Sequence, residues 1–129
     1  MAVEESIFDQ EMGKTPANHQ PLTPLSFLAW AARVYPNKIA VVHGESTFTY
    51  REFATRCRLL ASALKKLGIS KGDTVAIMSP NAPPMLEAHY GVPMSGAILN
   101  ALNFRLDGPT LAFTLQHCEA KILITDTEF

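Results

Sequence analysis

The sequence predicts an α/β fold, a partial doubly wound sheet made of a β-hairpin followed by a parallel β-α-β-α-β unit. Three observations carry this reading. Runs 74–78, 97–102 and 121–126 are short and almost unbroken in apolar residues, as strands buried on both faces are. Segments with helical apolar spacing separate them, and right-handed crossovers then put helices on the sheet faces. Upstream, two β-rich runs flank Gly44-Glu45-Ser46, which reads as a hairpin turn.

Residues 1–22 are polar and acidic, contain Pro16 and Pro21, and read as a loosely held lead-in to one α/β unit over 23–129. Thr23 and Pro24 start a helix, with Thr23 as cap and Pro24 where a missing N–H costs nothing. Leu25, Leu28 and Ala32 follow at helical spacing, and Pro36 ends the helix because it drives its predecessor out of the helical region. Ile39 to His43 and Thr47 to Tyr50 form the hairpin strands, with Phe48 and Tyr50 sharing one face. From 51 to 67, Phe53, Cys57, Leu60, Leu64 and Leu67 advance by four, three, four and three, a helix stripe that Gly68 terminates. The first parallel strand ends at Ser79-Pro80-Asn81. A helix runs from about Pro84 to Met94, and Pro93 is expected to kink or end it. The strand at 97–102 follows, then a helix capped by Asp107 or Gly108 with Leu111, Leu115 and Cys118 on one face, then the strand at 121–126. A sheet this short leaves an apolar edge bare, which points to a piece of something larger or to self-association through that edge.

Composition narrows the function classes. At 129 residues, 47% hydrophobic and 18% charged, the chain can bury enough apolar surface to offset its ordering entropy, which excludes a disordered tail. Eleven basic against twelve acidic residues give no electrostatic footprint for nucleic acid. No apolar run reaches the ~20 residues of a membrane-spanning helix, and the acidic start has no signal-peptide core. Cys57 and Cys118 are too few for a disulfide scaffold, so a reducing cytoplasm is the expected compartment, although one bridge between them is geometrically open.

Most chemistry-bearing residues have a structural reading. Gly68-Ile69-Ser70-Lys71-Gly72-Asp73 lacks the spacing of a phosphate loop and reads as a helix stop and turn. His19, His43, His89 and His117 do not pair at metal-ligand spacing, and His89 reads as a partly buried histidine. His43-Gly44-Glu45-Ser46 lacks a nucleophile elbow and reads as a turn. Arg51, Arg56, Arg58, Lys65 and Lys66 read as a solvated helix face. Arg105 is the candidate binding residue. It sits in Asn103-Phe104-Arg105-Leu106, just past the carboxyl end of a parallel strand, where open α/β sheets place ligands, and an arginine there can hold a phosphate bidentately. The alternative is a surface pair with Asp107 or Glu119.

Three segments, in order, are Thr47-Phe48-Thr49-Tyr50-Arg51-Glu52-Phe53, Lys71-Gly72-Asp73-Thr74-Val75-Ala76-Ile77-Met78-Ser79-Pro80-Asn81, and 91–103 with Gly96-Ala97 and Asn100-Ala101-Leu102-Asn103. Together they resemble the opening of the acyl-activating (adenylate-forming, AMP-binding) enzymes. The lead-in Ala17-Asn18-His19-Gln20-Pro21-Leu22-Thr23-Pro24 and Glu87-Ala88-His89-Tyr90-Gly91 resemble the short- and medium-chain acyl-CoA synthetases among them. The resemblance runs from about residue 17 to 129 and implies an incomplete N-terminal subdomain of a ligase that uses ATP, Mg²⁺ and CoA. A fatty or other small carboxylic acid would attack the α-phosphate to give acyl-AMP, and CoA thiolate would then displace AMP. The family's phosphate loop, ribose-binding acid and lid lysine have no counterpart here. The resemblance therefore implies no catalytic residue and no metal ligand in this chain, no cofactor held by the segment alone, and the remainder of the synthetase chain as partner. It also implies that Arg105 lies near the CoA phosphates. Peroxisomal targeting stays open, since such a signal is C-terminal. A stand-alone, truncated, non-catalytic relative acting as an interaction module is the alternative. A flavodoxin-like nucleotide domain is weaker, because it calls for an acid cluster or Gly-rich turn at the strand ends.

Overall fold

The computed structural model describes residues 13–129, so the first part of the lead-in lies outside the described residues. Residues 13–22 are mostly exposed and contain a turn in which Asn18 Oδ1 accepts from Thr15 N at 2.7 Å. The elements are α1 (Pro24–Val34), β1 (Ile39–His43), β2 (Ser46–Thr49), α2 (Tyr50–Lys66), β3 (Thr74–Met78), α3 (Pro83–Met94), β4 (Ile98–Ala101), α4 (Gly108–His117) and β5 (Ala120–Thr125). β1 and β2 pair antiparallel; β4, β3 and β5 form a parallel sheet in that order.

Local chemistry explains the boundaries. Thr23 caps α1, its hydroxyl accepting from Ser26 N at 3.4 Å. Tyr50 belongs to α2 and not to the hairpin strand that period-2 alternation predicts. Thr49 and Glu52 form a capping box, with Glu52 N donating to Thr49 Oγ1 at 3.3 Å and Thr49 N donating to Glu52 Oε2 at 2.8 Å. At the other end, Gly68 takes φ +88°, Gly68 N reaches Lys65 O and Ile69 N reaches Leu64 O, both at 3.1 Å. This Schellman motif turns the chain so that Ile69, not Leu67, packs on Leu64. Leu67 is 69% exposed, which corrects its placement on the buried stripe. α3 starts at Pro83 and ends at Met94, one residue beyond Pro93.

Two apolar clusters meet across α2. One gathers Leu64, Ile69, Val75, Ile77, Ala88 and Val92 between α2, β3 and α3; the other joins Leu28, Val41, Phe53, Ala54 and Cys57 between α1, the hairpin and α2. Burying each large side chain is worth about 1.5–3 kcal/mol. Only β3 is buried as a central parallel strand should be. β4 and β5 expose Ile98 and Leu123, against the expectation of full burial, because they are the two edges. α4 packs only lightly, on β5, and has no buried residue. Both cysteines are free, Cys57 buried and Cys118 half-buried, so the open possibility of a bridge is not realised.

Candidate functional site

The strand order decides where a ligand can sit. The chain steps from β3 to β4 on one side, then back across β3 to β5 on the other. With right-handed crossovers, α3 and α4 lie on opposite faces, so the loops leaving β3 and β4 part and open a crevice between them. That switch-point crevice is lined by Ser79, Asn81, Met85 and His89 on one wall and by Leu102 to Arg105 on the other. A second hollow, against Val41 and Val42 of the hairpin, shares Asn81, Met85 and His89 with it.

Each side chain reaches the crevice for a local reason. Leu102 N donates to Ile77 O at 2.8 Å, extending the β3–β4 ladder to its rim. Asn103 then closes a turn, its Oδ1 accepting from Arg105 N at 3.0 Å. Phe104 stacks on Phe129 with centroids 5.0 Å apart, and the Arg105 guanidinium lies 5.7 Å from the Phe104 ring centroid. Among the described residues no carboxylate pairs with Arg105, so the surface pair with Asp107 or Glu119 is not formed. His89 is exposed, not partly buried, and its Nδ1 lies 2.8 Å from Met85 O. A carbonyl only accepts, so Nδ1 carries the hydrogen and a neutral ring keeps Nε2 as an acceptor.

The nearby helix end offers an anion little. Pro83 and Pro84 have no N–H, and Met85 N and Leu86 N both bond Ala82 O, at 3.0 and 3.3 Å. Arg105 is therefore the cation this crevice offers to a phosphate. No cluster of three metal-ligating side chains exists among the described residues, and no glycine-rich loop surrounds the crevice. The residues present fit one phosphate group, but not a triphosphate with its magnesium ion.

The other sequence candidates resolve structurally. His43 and Ser46 face each other across the hairpin around Gly44, whose φ of +57° makes the turn. Gly72 takes φ +90° and donates to Gly96 O at 3.0 Å, a turn locking two loops together. The basic face on α2 is exposed as expected, and within it Arg56 is also paired. Its Nε donates to Glu87 Oε1 and its Nη2 to Glu87 Oε2 at 3.4 Å, and its guanidinium lies 4.9 Å from the Phe48 centroid. Glu87 is buried at 8% exposure. Sequence reasoning missed this pair because its members are 31 positions apart. It also missed Ser79 and Asn81 as crevice residues, although Ser-Pro-Asn at a strand end was a signal.

Comparison with known proteins gives the family and the fold. The family model described as AMP-binding enzyme matches residues 28–129. Over 119 residues, 92% of this chain, it is 50% identical to the peroxisomal acetate/butyrate–CoA ligase AAE7 of Arabidopsis thaliana. It is 45% identical over 113 residues to the peroxisomal benzoate–CoA ligase of the same plant. The O-succinylbenzoate–CoA synthetase of Bacillus subtilis, solved with AMP, superposes with TM-score 0.76 at 28% identity, over 80% of this chain and 27% of that one. The N-terminal subdomain of Klebsiella oxytoca NpsA, at 24% identity and TM-score 0.75, shares the fold over 82% of this chain and 28% of that one. The chain spans about a fifth of the length of the curated relatives it matches. With sequence and fold in agreement, this chain belongs to the AMP-binding enzyme family and corresponds to the N-terminal part of its longer members.

Proposed function

We propose that this chain is the N-terminal scaffold of an ATP-dependent acid–thiol ligase that joins a small carboxylic acid to CoA through an acyl-AMP intermediate. The observation that carries the reading is the 50% identity to an acetate/butyrate–CoA ligase along nearly the whole chain. The chemistry divides accordingly. Adenylation needs several cations and backbone donors around a triphosphate, and these come from the remainder of the synthetase. This segment supplies the rigid sheet and both walls of a crevice, in which Arg105 contacts a phosphate of CoA. That role is supported by its place past β4 and by its guanidinium lacking a carboxylate partner among the described residues. The compartment is reducing, the cytoplasm or the peroxisome named for two of the relatives above.

The test uses the full-length synthetase, with ATP, Mg²⁺, CoA and acetate, butyrate or benzoate as acid. The expected result is thioester formation with release of AMP and pyrophosphate; no thioester with any small acid would refute the reading. In that enzyme Arg105→Ala is expected to raise the KM for CoA roughly tenfold, the equivalent of one lost charge-assisted hydrogen bond. An unchanged KM would remove Arg105 from the CoA site. The 129-residue chain alone is expected to show no carboxylate-dependent ATP–pyrophosphate exchange, and exchange by the pure segment would overturn this division of labour.

A further inference from the structure

We propose that Arg56 and Glu87 are positioning residues: their ion pair sets how the first turns of α3 stand against the crevice, and so how tightly CoA is held. The inference rests on the CoA reading above. Glu87 is buried, and both its oxygens are engaged by the guanidinium fork in the one ion pair among the described residues. The Arg56 side chain is 45% exposed, so solvent screening of the guanidinium and desolvation of the carboxylate together leave the pair little net stability, but it is directional, and register is the best-attested use of such pairs. Here register needs setting. The α2–α3 contact is otherwise apolar and not directional: the Phe53 and Tyr90 rings meet edge-on at 5.4 Å, and Leu60 lies over Gly91.

The two halves of α3 are held differently. Its C-terminal half is set by Gly91 against the Cys57 carbonyl and by the Gly96 N–H on Pro93 O at 2.9 Å. Its N-terminal half has no side-chain cap at Ala82 and begins with two prolines. Glu87, just inside, is the only charged tie of that half to α2. On the same turns sit Met85 and His89, with Asn81 just before, and these line the crevice opposite Asn103 and Arg105. With Gly91 held, loss of the pair would let the N-terminal turns of α3 pivot about that contact and displace this wall, and a well-formed site tolerates only ~0.5 Å of such movement.

The experiment replaces the pair by apolar residues of similar size, Arg56→Met with Glu87→Leu, in the full-length enzyme, since such exchanges are commonly neutral or stabilising. The KM for CoA is expected to rise roughly tenfold, while the KM for ATP, kcat at saturating CoA and the thermal midpoint stay close to wild type. A purely structural pair would move the midpoint and leave the KM for CoA alone. A folded, active double variant with an unchanged KM for CoA overturns the inference. Should that variant not fold, Glu87→Gln carries the same comparison with the same expected direction. A wild-type enzyme that forms no thioester would refute the ligase reading itself, a different result from an active enzyme indifferent to the pair.

Discussion

Gly91 lies directly against the backbone of α2, and replacing it tests the packing account directly. A Cβ built at Gly91 would lie 2.8 Å from Leu60 Cδ2, 2.9 Å from the Cys57 carbonyl oxygen and 3.0 Å from Leu60 Cβ. The Leu60 methyl can rotate away. The Cys57 carbonyl cannot, because it belongs to the hydrogen-bonded backbone of α2. Relief therefore requires α3 to back off by a few tenths of an ångström, loosening Phe53 against Tyr90, whose rings meet edge-on at 5.4 Å. Overpacking of this kind costs about 1–3 kcal/mol, while the better helix propensity of alanine returns up to about 1 kcal/mol. The net expectation for Gly91→Ala is a loss of about 1–2 kcal/mol. With a urea dependence of about 2 kcal/mol per molar, that lowers the unfolding midpoint by roughly 0.5–1 M. Gly108→Ala is the control, since nothing lies within 4 Å of its added Cβ, and it should be neutral or slightly stabilising. Circular dichroism during urea titration reads both. A Gly91→Ala midpoint equal to or above that of Gly108→Ala would mean that the helices are not held in van der Waals contact there.

Three further outcomes follow from other parts of the fold. The Thr49 backbone N–H and then its hydroxyl hold the Glu52 carboxyl below its ordinary 4.5, so the capping contribution is present above that value and is lost as pH falls through the lower folded-state value. The stability gap between wild type and Glu52→Gln should accordingly be open at neutral pH and close in acid; a gap independent of pH would contradict the assignment. Burial pushes the Cys57 thiol from its ordinary 9.0 up to about 12, so its contribution is full below pH 9 and declines as pH rises toward 12. At pH 8 a thiol reagent should modify Cys118 quickly and Cys57 only after unfolding, and equal rates would show that α2 opens readily. The isolated segment exposes Ile98, Phe113 and Leu123 beside two unpaired strand edges, and light scattering should find it self-associated; a clean monomer at high concentration that binds no hydrophobic dye would refute this.

Much of this fold is local and therefore written in the sequence. Thr23-Pro24 and Gly68 bound helices through backbone chemistry that needs no distant partner. The β3 run is apolar because a central strand of a parallel sheet meets packing on both faces. Even the Tyr50 misplacement had a local remedy, since Thr49-Tyr50-Arg51-Glu52 spells a capping box that outweighs two-residue alternation. The position of Arg105 past a parallel strand was legible for the same reason.

Tertiary structure decided what depends on which segments meet. An apolar run reads alike at the centre and at the edge of a sheet, so only the order β4-β3-β5 shows that β4 and β5 are half exposed and that the crevice opens between the β3 and β4 loops. Arg56 reads from the sequence as one more surface cation, and only the packing of α3 on α2 brings Glu87 to it and the Cys57 carbonyl to Gly91. Hydrogen bonds along the backbone and capping chemistry act within a few residues, so the sequence alone determines them. Register, burial at an edge and the partner of a buried charge belong to pairs of distant segments, and they exist only once the chain has closed on itself.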